Sequence, residues 1–80
     1  MVLPKELQDA FYAGARSAAV PLCINDTVGI TVGEHRGSRA AVISQESVGA
    51  DPEFIIELGT SGVDVRLPLS SLRLIERVEP

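Results

Sequence analysis

Three basic side chains, His35, Arg36 and Arg39, stand within five positions of one another in a chain that is otherwise acidic. Guanidinium groups donate paired hydrogen bonds to carboxylates and phosphates, so this stretch reads as an anion-contacting loop. Glu34 lies beside it as a counter-charge, and a solvated turn would account for the same residues. Catalysis by His35 would need a nucleophile and a motif that stabilises an oxyanion. Ser38 and Ser44 are near in sequence, but no such motif accompanies them. Cys23, between Leu22 and Ile24, reads as a small buried hydrophobe rather than a nucleophile. One cysteine and one histidine cannot make a four-ligand zinc site without several carboxylates. Asp51 and Glu53 flank Pro52, and Glu57 and Asp64 share a strand face; neither pair has the ligand density of a calcium or magnesium loop. The expectation is a protein that is not an enzyme and uses no metal or cofactor.

Phe11, Tyr12 and Phe54 are the whole aromatic complement. Three rings, two of them on one helix, cannot build the cage that reads methyl-lysine. They also make a poor stacking platform for single-stranded RNA. Tyr12 is instead a candidate docking side chain. The formal net charge is −4, whereas a dedicated nucleic-acid binder shows a basic face. Two or three cations grip phosphate weakly, so RNA binding is expected to be loose and salt-sensitive. No apolar run approaches the roughly 18 residues of a membrane span. Lys5, Glu6 and Asp9 stand where a secretory leader would be apolar. A single cysteine fits a reducing compartment, and the chain reads as cytoplasmic.

These candidate residues need elements to hold them. Eighty residues make one domain near the lower end of what folds unaided. It divides into a helix and connector over residues 1–21 and a barrel over residues 26–77. Hydrophobic residues make up 45% of the chain and there is no tryptophan, so the core must be aliphatic. The apolar surplus implies either a dense core or a face left for a partner, including a second copy.

Pro4 suits a first helical position, and Leu3, Leu7, Phe11 and Ala15 recur every four residues. The pattern predicts a helix over about Pro4–Ala18, with Gly14 weakening its middle and Arg16 near its end favouring the dipole. A second stripe, Ala10, Ala13, Gly14 and Ser17, permits close approach by the barrel or by a partner. After the helix the period changes to two. Val28, Ile30 and Val32 alternate inward, residues 33–37 turn, and a second strand runs over about Arg39–Gln45. Residues 46–52 form a loop. Phe54, Ile56 and Leu58 then face Leu67, Val65 and Val63 across a turn at Thr60-Ser61, the register that pairs every inward residue. Glu57 falls opposite Asp64, with Arg66 placed diagonally to relieve it. Leu69–Leu72 reads as a tight helical turn, Arg73–Arg77 as a closing strand, and Val78-Glu79-Pro80 as a frayed tail. One helix followed by a five-strand meander gives a mainly β, partly open barrel.

The stretch Val32-Gly33-Glu34-His35-Arg36-Gly37-Ser38-Arg39-Ala40-Ala41-Val42 resembles a KOW motif, the strand–loop–strand signature of one SH3-like barrel family. Gly33, Gly37 and Val42 match the pattern, and Ala40 stands in place of the third glycine. The resemblance covers about Asp26–Glu76 and implies an SH3-like barrel that contacts protein or RNA. Positive φ at a tight loop would account for Gly33 and Gly37 independently.

The expected function is a non-enzymatic protein-interaction module of the adaptor or accessory kind, with self-association as one form of it. Its surface would be the helix with Tyr12 or the barrel end with His35, Arg36 and Arg39. A ribosome- or RNA-associated KOW-like factor is the alternative, and an acidic inhibitor or immunity-type protein is a third.

Overall fold

Helix α1 spans Lys5–Ala13 in the computed structural model, which describes residues 3–78. Its end is set by Gly14, whose φ of 76° is a left-handed conformation that glycine adopts without a Cβ clash. The Ala15 amide then donates to the Ala10 carbonyl at 2.8 Å, closing the helix. The expected continuation to Ala18 is therefore corrected: Gly14 is a stop, not a weak point in the middle. Ala15 leaves the buried face, and Arg16 leaves the helix altogether.

Five antiparallel strands follow: β1 (Thr27–Ile30), β2 (Arg39–Gln45), β3 (Glu53–Leu58), β4 (Asp64–Pro68) and β5 (Leu72–Glu76), with a 3-10 turn at Leu69–Ser71 before β5. Their order in the sheet is β4-β3-β2-β1-β5. The edge strands do not pair with each other, so the barrel is partly open, as the strand pattern predicts. Val28, Ile30, Ala40, Val42, Phe54, Ile56 and Leu58 bury the inner face. The helix covers it with Phe11, flanked by the partly buried Leu7, and the connector adds Val20, Leu22 and Cys23. Ala10 of the small-residue stripe packs against this core, whereas Ala13 and Ser17 are exposed.

The β3–β4 hairpin has the expected register, with Phe54 opposite Leu67, Ile56 opposite Val65 and Glu57 opposite Asp64. Three details depart from the expectation. Val63 precedes β4 and is exposed, although its carbonyl accepts the Leu58 amide at 2.9 Å. Arg66 bonds Glu53 at 2.9 Å rather than Glu57 or Asp64, because Glu46 stands at that same end, 3.8 Å away. Val32 is exposed, because β1 stops at Ile30, whose carbonyl already takes the Gly37 amide. In β2 the register shifts between Val42 and Ser44, which turns Gln45 inward.

The closing strand runs one residue earlier than expected. Val78 is tied down rather than frayed, while Glu79 and Pro80 lie outside the described residues.

Candidate functional site

Arg39 opens β2 and stands opposite Gly29 of β1; on the other side of Gly29, in β5, stands Arg73. Residues directly opposite in antiparallel strands project from the same face. Arg39, Gly29 and Arg73 therefore form one row across three strands, on the face turned away from the core. Two strand spacings put the arginine backbones about 10 Å apart. Over Gly29 itself the Ile75 Cδ1 stands closest, 3.2 Å from where a Cβ would be, and Arg73 lies beside it. Its Nη2 is 3.9 Å from where a Cβ on Gly29 would stand.

His35 and Arg36 lie in the loop between β1 and β2. Gly33 and Gly37 take φ values of 85° and 89°, and the Gly37 amide donates to the Ile30 carbonyl at 2.8 Å. Turn geometry thus accounts for both glycines. His35 Nε2 is 3.9 Å from Glu34 Oε2, a loose contact, and Arg36 is exposed. Three other cations are neutralised: Lys5 by Asp9 at 2.8 Å, Arg16 by Asp26, and Arg66 by Glu53. Among the described residues, the side chains of Arg36, Arg39, Arg73 and Arg77 make no hydrogen bond or ion pair. The first three gather where β1 ends and β2 and β5 begin. Exposed Val32 and Val63 stand at the same end of the sheet.

Tyr12 is elsewhere. It is 57% exposed, and its ring meets buried Phe11 edge-on with centroids 5.1 Å apart. It borders a cleft of about 250 Å³ shared with Gln8, Phe11, Gln45 and Glu46. That cleft lies at the far end of β2 from Arg39, about 20 Å along the strand. The two surfaces singled out from sequence are therefore separate. Gln45 ties the connector to β2 there, donating from Nε2 to the carbonyls of Ala19 and Ser47 at 2.9 and 3.0 Å.

Asp26 is the buried charge that sequence reasoning missed. It is fully buried, and its carboxylate accepts from both Nη atoms of Arg16, at 2.5 and 2.6 Å. It also accepts from the amides of Cys23 at 2.8 Å and Val78 at 2.9 Å. Burial alone would push this carboxyl up; the Arg16 hydrogen bonds, the two amides and the Arg16 charge outweigh it and hold the carboxyl below 3.8. Burial pushes the Cys23 thiol up from 9.0, with Arg16 opposing and Asp26 adding to the shift. Cys23 is thus a buried, protonated thiol, as its apolar neighbours suggest.

Among the described residues no cluster of histidine, cysteine and carboxylate groups could hold a metal ion, and no helix is long and apolar enough to cross a membrane. The architecture is compatible with an SH3-like barrel. No protein-family model, curated protein or solved structure matches the chain.

Proposed function

We propose that the protein is a non-enzymatic interaction module that receives an acidic segment of a partner protein on the basic end of its sheet. One observation carries the reading: three arginines without ion pairs gather at that end, while Lys5, Arg16 and Arg66 are each neutralised by a carboxylate. Exposed Val32 and Val63 supply apolar surface beside the charge. Arginine is among the residues enriched at protein-binding surfaces. The KOW-like spacing fits an SH3-like barrel in which the β1–β2 loop contacts the partner. Three cations in a chain of net charge −4 favour carboxylates presented by a protein over a long phosphate backbone.

Affinity capture from the native host, comparing the wild type with Arg36→Glu/Arg39→Glu, tests this. The expected result is a protein retained by the wild type, released by the double variant, and indifferent to ribonuclease. Retention that ribonuclease abolishes, or that the double variant keeps, overturns the reading.

A further inference from the structure

We propose that the open edge of β4 pairs antiparallel with the same edge of a second copy of this chain, with Asp64 of each copy opposite Arg66 of the other. The inference goes beyond the acidic-partner reading and stands independently of it.

β4 ends one side of the sheet, and among the described residues no strand lies beyond it. The phase of its hydrogen bonds fixes which groups face outward. The Leu58 amide donates to the Val63 carbonyl at 2.9 Å, and the Leu69 amide to the Pro52 carbonyl at 2.8 Å. Bonded pairs alternate with unbonded ones in an antiparallel ladder, so Val65 and Leu67 turn their backbone groups to β3. Asp64, Arg66 and Pro68 turn theirs to the open edge. Pro68 has no N–H to leave unpaired there, while Asp64 and Arg66 each present an N–H and a carbonyl. Such an edge is a template for another strand.

Two-fold symmetry restricts the register, because outward groups must meet and facing residues must share a side of the sheet. Asp64 opposite Asp64, or Arg66 opposite Arg66, would set like charges together. The register between those two sets Asp64 opposite Arg66 twice and closes about four backbone hydrogen bonds. It also lays Val65 against Val65 and Val63 against Leu67 on the inner face. Val63 is 54% exposed, and Val65 and Leu67 are only partly buried, so the seam covers apolar surface that one chain leaves open. The charges gain as well. Asp64 stands opposite Glu57, and among the described residues neither carboxylate makes a hydrogen bond or ion pair. Arg66 uses Nε and Nη2 on Glu53, while its Nη1 is 3.8 Å from Glu46, beyond hydrogen-bond distance. That nitrogen is the one available to Asp64 of the second copy. Charged side chains on an edge strand ordinarily deter pairing; here the two-fold register matches them. The seam involves none of Arg36, Arg39 and Arg73, and Val63 is the one side chain it shares with the proposed partner surface.

Sedimentation of the full chain from about 10 µM to about 1 mM tests this. A five-residue strand buries less than the roughly 1,200 Å² of a standard interface, so a weak dimer, half formed at about 100 µM, is expected. Asp64→Arg and Arg66→Asp are each expected to weaken it more than about tenfold. Their equimolar mixture is expected to recover the wild-type affinity within about threefold, because every reversed charge then meets its opposite. In the wild type, exchange of the Asp64 and Arg66 amide protons is expected to slow as concentration rises through the midpoint. A chain still monomeric at about 1 mM overturns the proposal. So does a dimer that both reversals leave intact, or folded variants whose mixture stays monomeric. Exchange of those two amides at a rate independent of concentration overturns it from the wild type alone, even where a variant folds poorly.

Discussion

Arg16 and Asp26, ten positions apart, clasp each other across the gap between the end of α1 and the start of β1. The same carboxylate holds the Val78 amide, so one buried group secures the helix connector and the C-terminal end of the barrel together. Breaking a buried pair leaves an uncompensated charge, at a cost of about 3–5 kcal/mol. The Arg16 side chain is 18% exposed, and water reaching it places Arg16→Ala and Asp26→Ala at about 3 kcal/mol. A domain of this size is stable by only about 4–12 kcal/mol. Urea denaturation is expected to show a large fall in midpoint for either variant with an unchanged slope.

The pair also sets a pH dependence. The folded Asp26 carboxyl is held below 3.8, so as pH falls the unfolded chain takes up the proton first. Its contribution to stability is fully present above about pH 5 and is lost progressively as pH drops through the folded value. The gap in urea midpoint between wild type and Asp26→Asn is expected to be widest near pH 6 and to narrow towards pH 3.

Cys23 reports on the same clasp from the opposite side. Its thiol is fully buried and raised above 9.0, so thiolate is scarce at neutral pH. Labelling by a disulfide reagent is expected to be about a hundredfold slower in the folded chain than in urea. Asp26→Ala should accelerate it, because the Cys23 amide loses its anchor.

Gly29→Ala tests how closely β5 covers the middle strand. An added Cβ would meet the Ile75 Cδ1 at 3.2 Å, the mobile end of a half-exposed side chain that can rotate away. Alanine also costs less conformational entropy than glycine in a strand. The stability change is expected to stay within about 0.5 kcal/mol. Urea midpoints of the two chains check this.

What the sequence made legible was local. Phe54, Ile56 and Leu58 and their partners Val65 and Leu67 are separated by one short turn, so alternation alone gave their register. The helix end was obscured because Gly14 in a helix interior and Gly14 as a left-handed stop look alike in one dimension. That error hid Asp26, since Arg16 inside a helix points to a dipole contact and not to a carboxylate ten positions away. Arg39 stood out because His35 and Arg36 are its chain neighbours. Arg73 did not, because its place beside Gly29 depends on β5 returning to pair with β1. Tyr12 was found by type, yet the fold sets it at the opposite end of β2 from the arginines.

The central claim is that the basic end of the sheet is the binding surface. The most direct measurement is a ¹⁵N chemical-shift map of the full chain titrated with its purified captured partner. Shifts are expected to concentrate in residues 31–39, 59–64 and 72–74, diminishing as salt is raised. Shifts confined to Tyr12, Gln8 and residues 44–46 around the helix cleft, with the arginine signals unmoved, would contradict it.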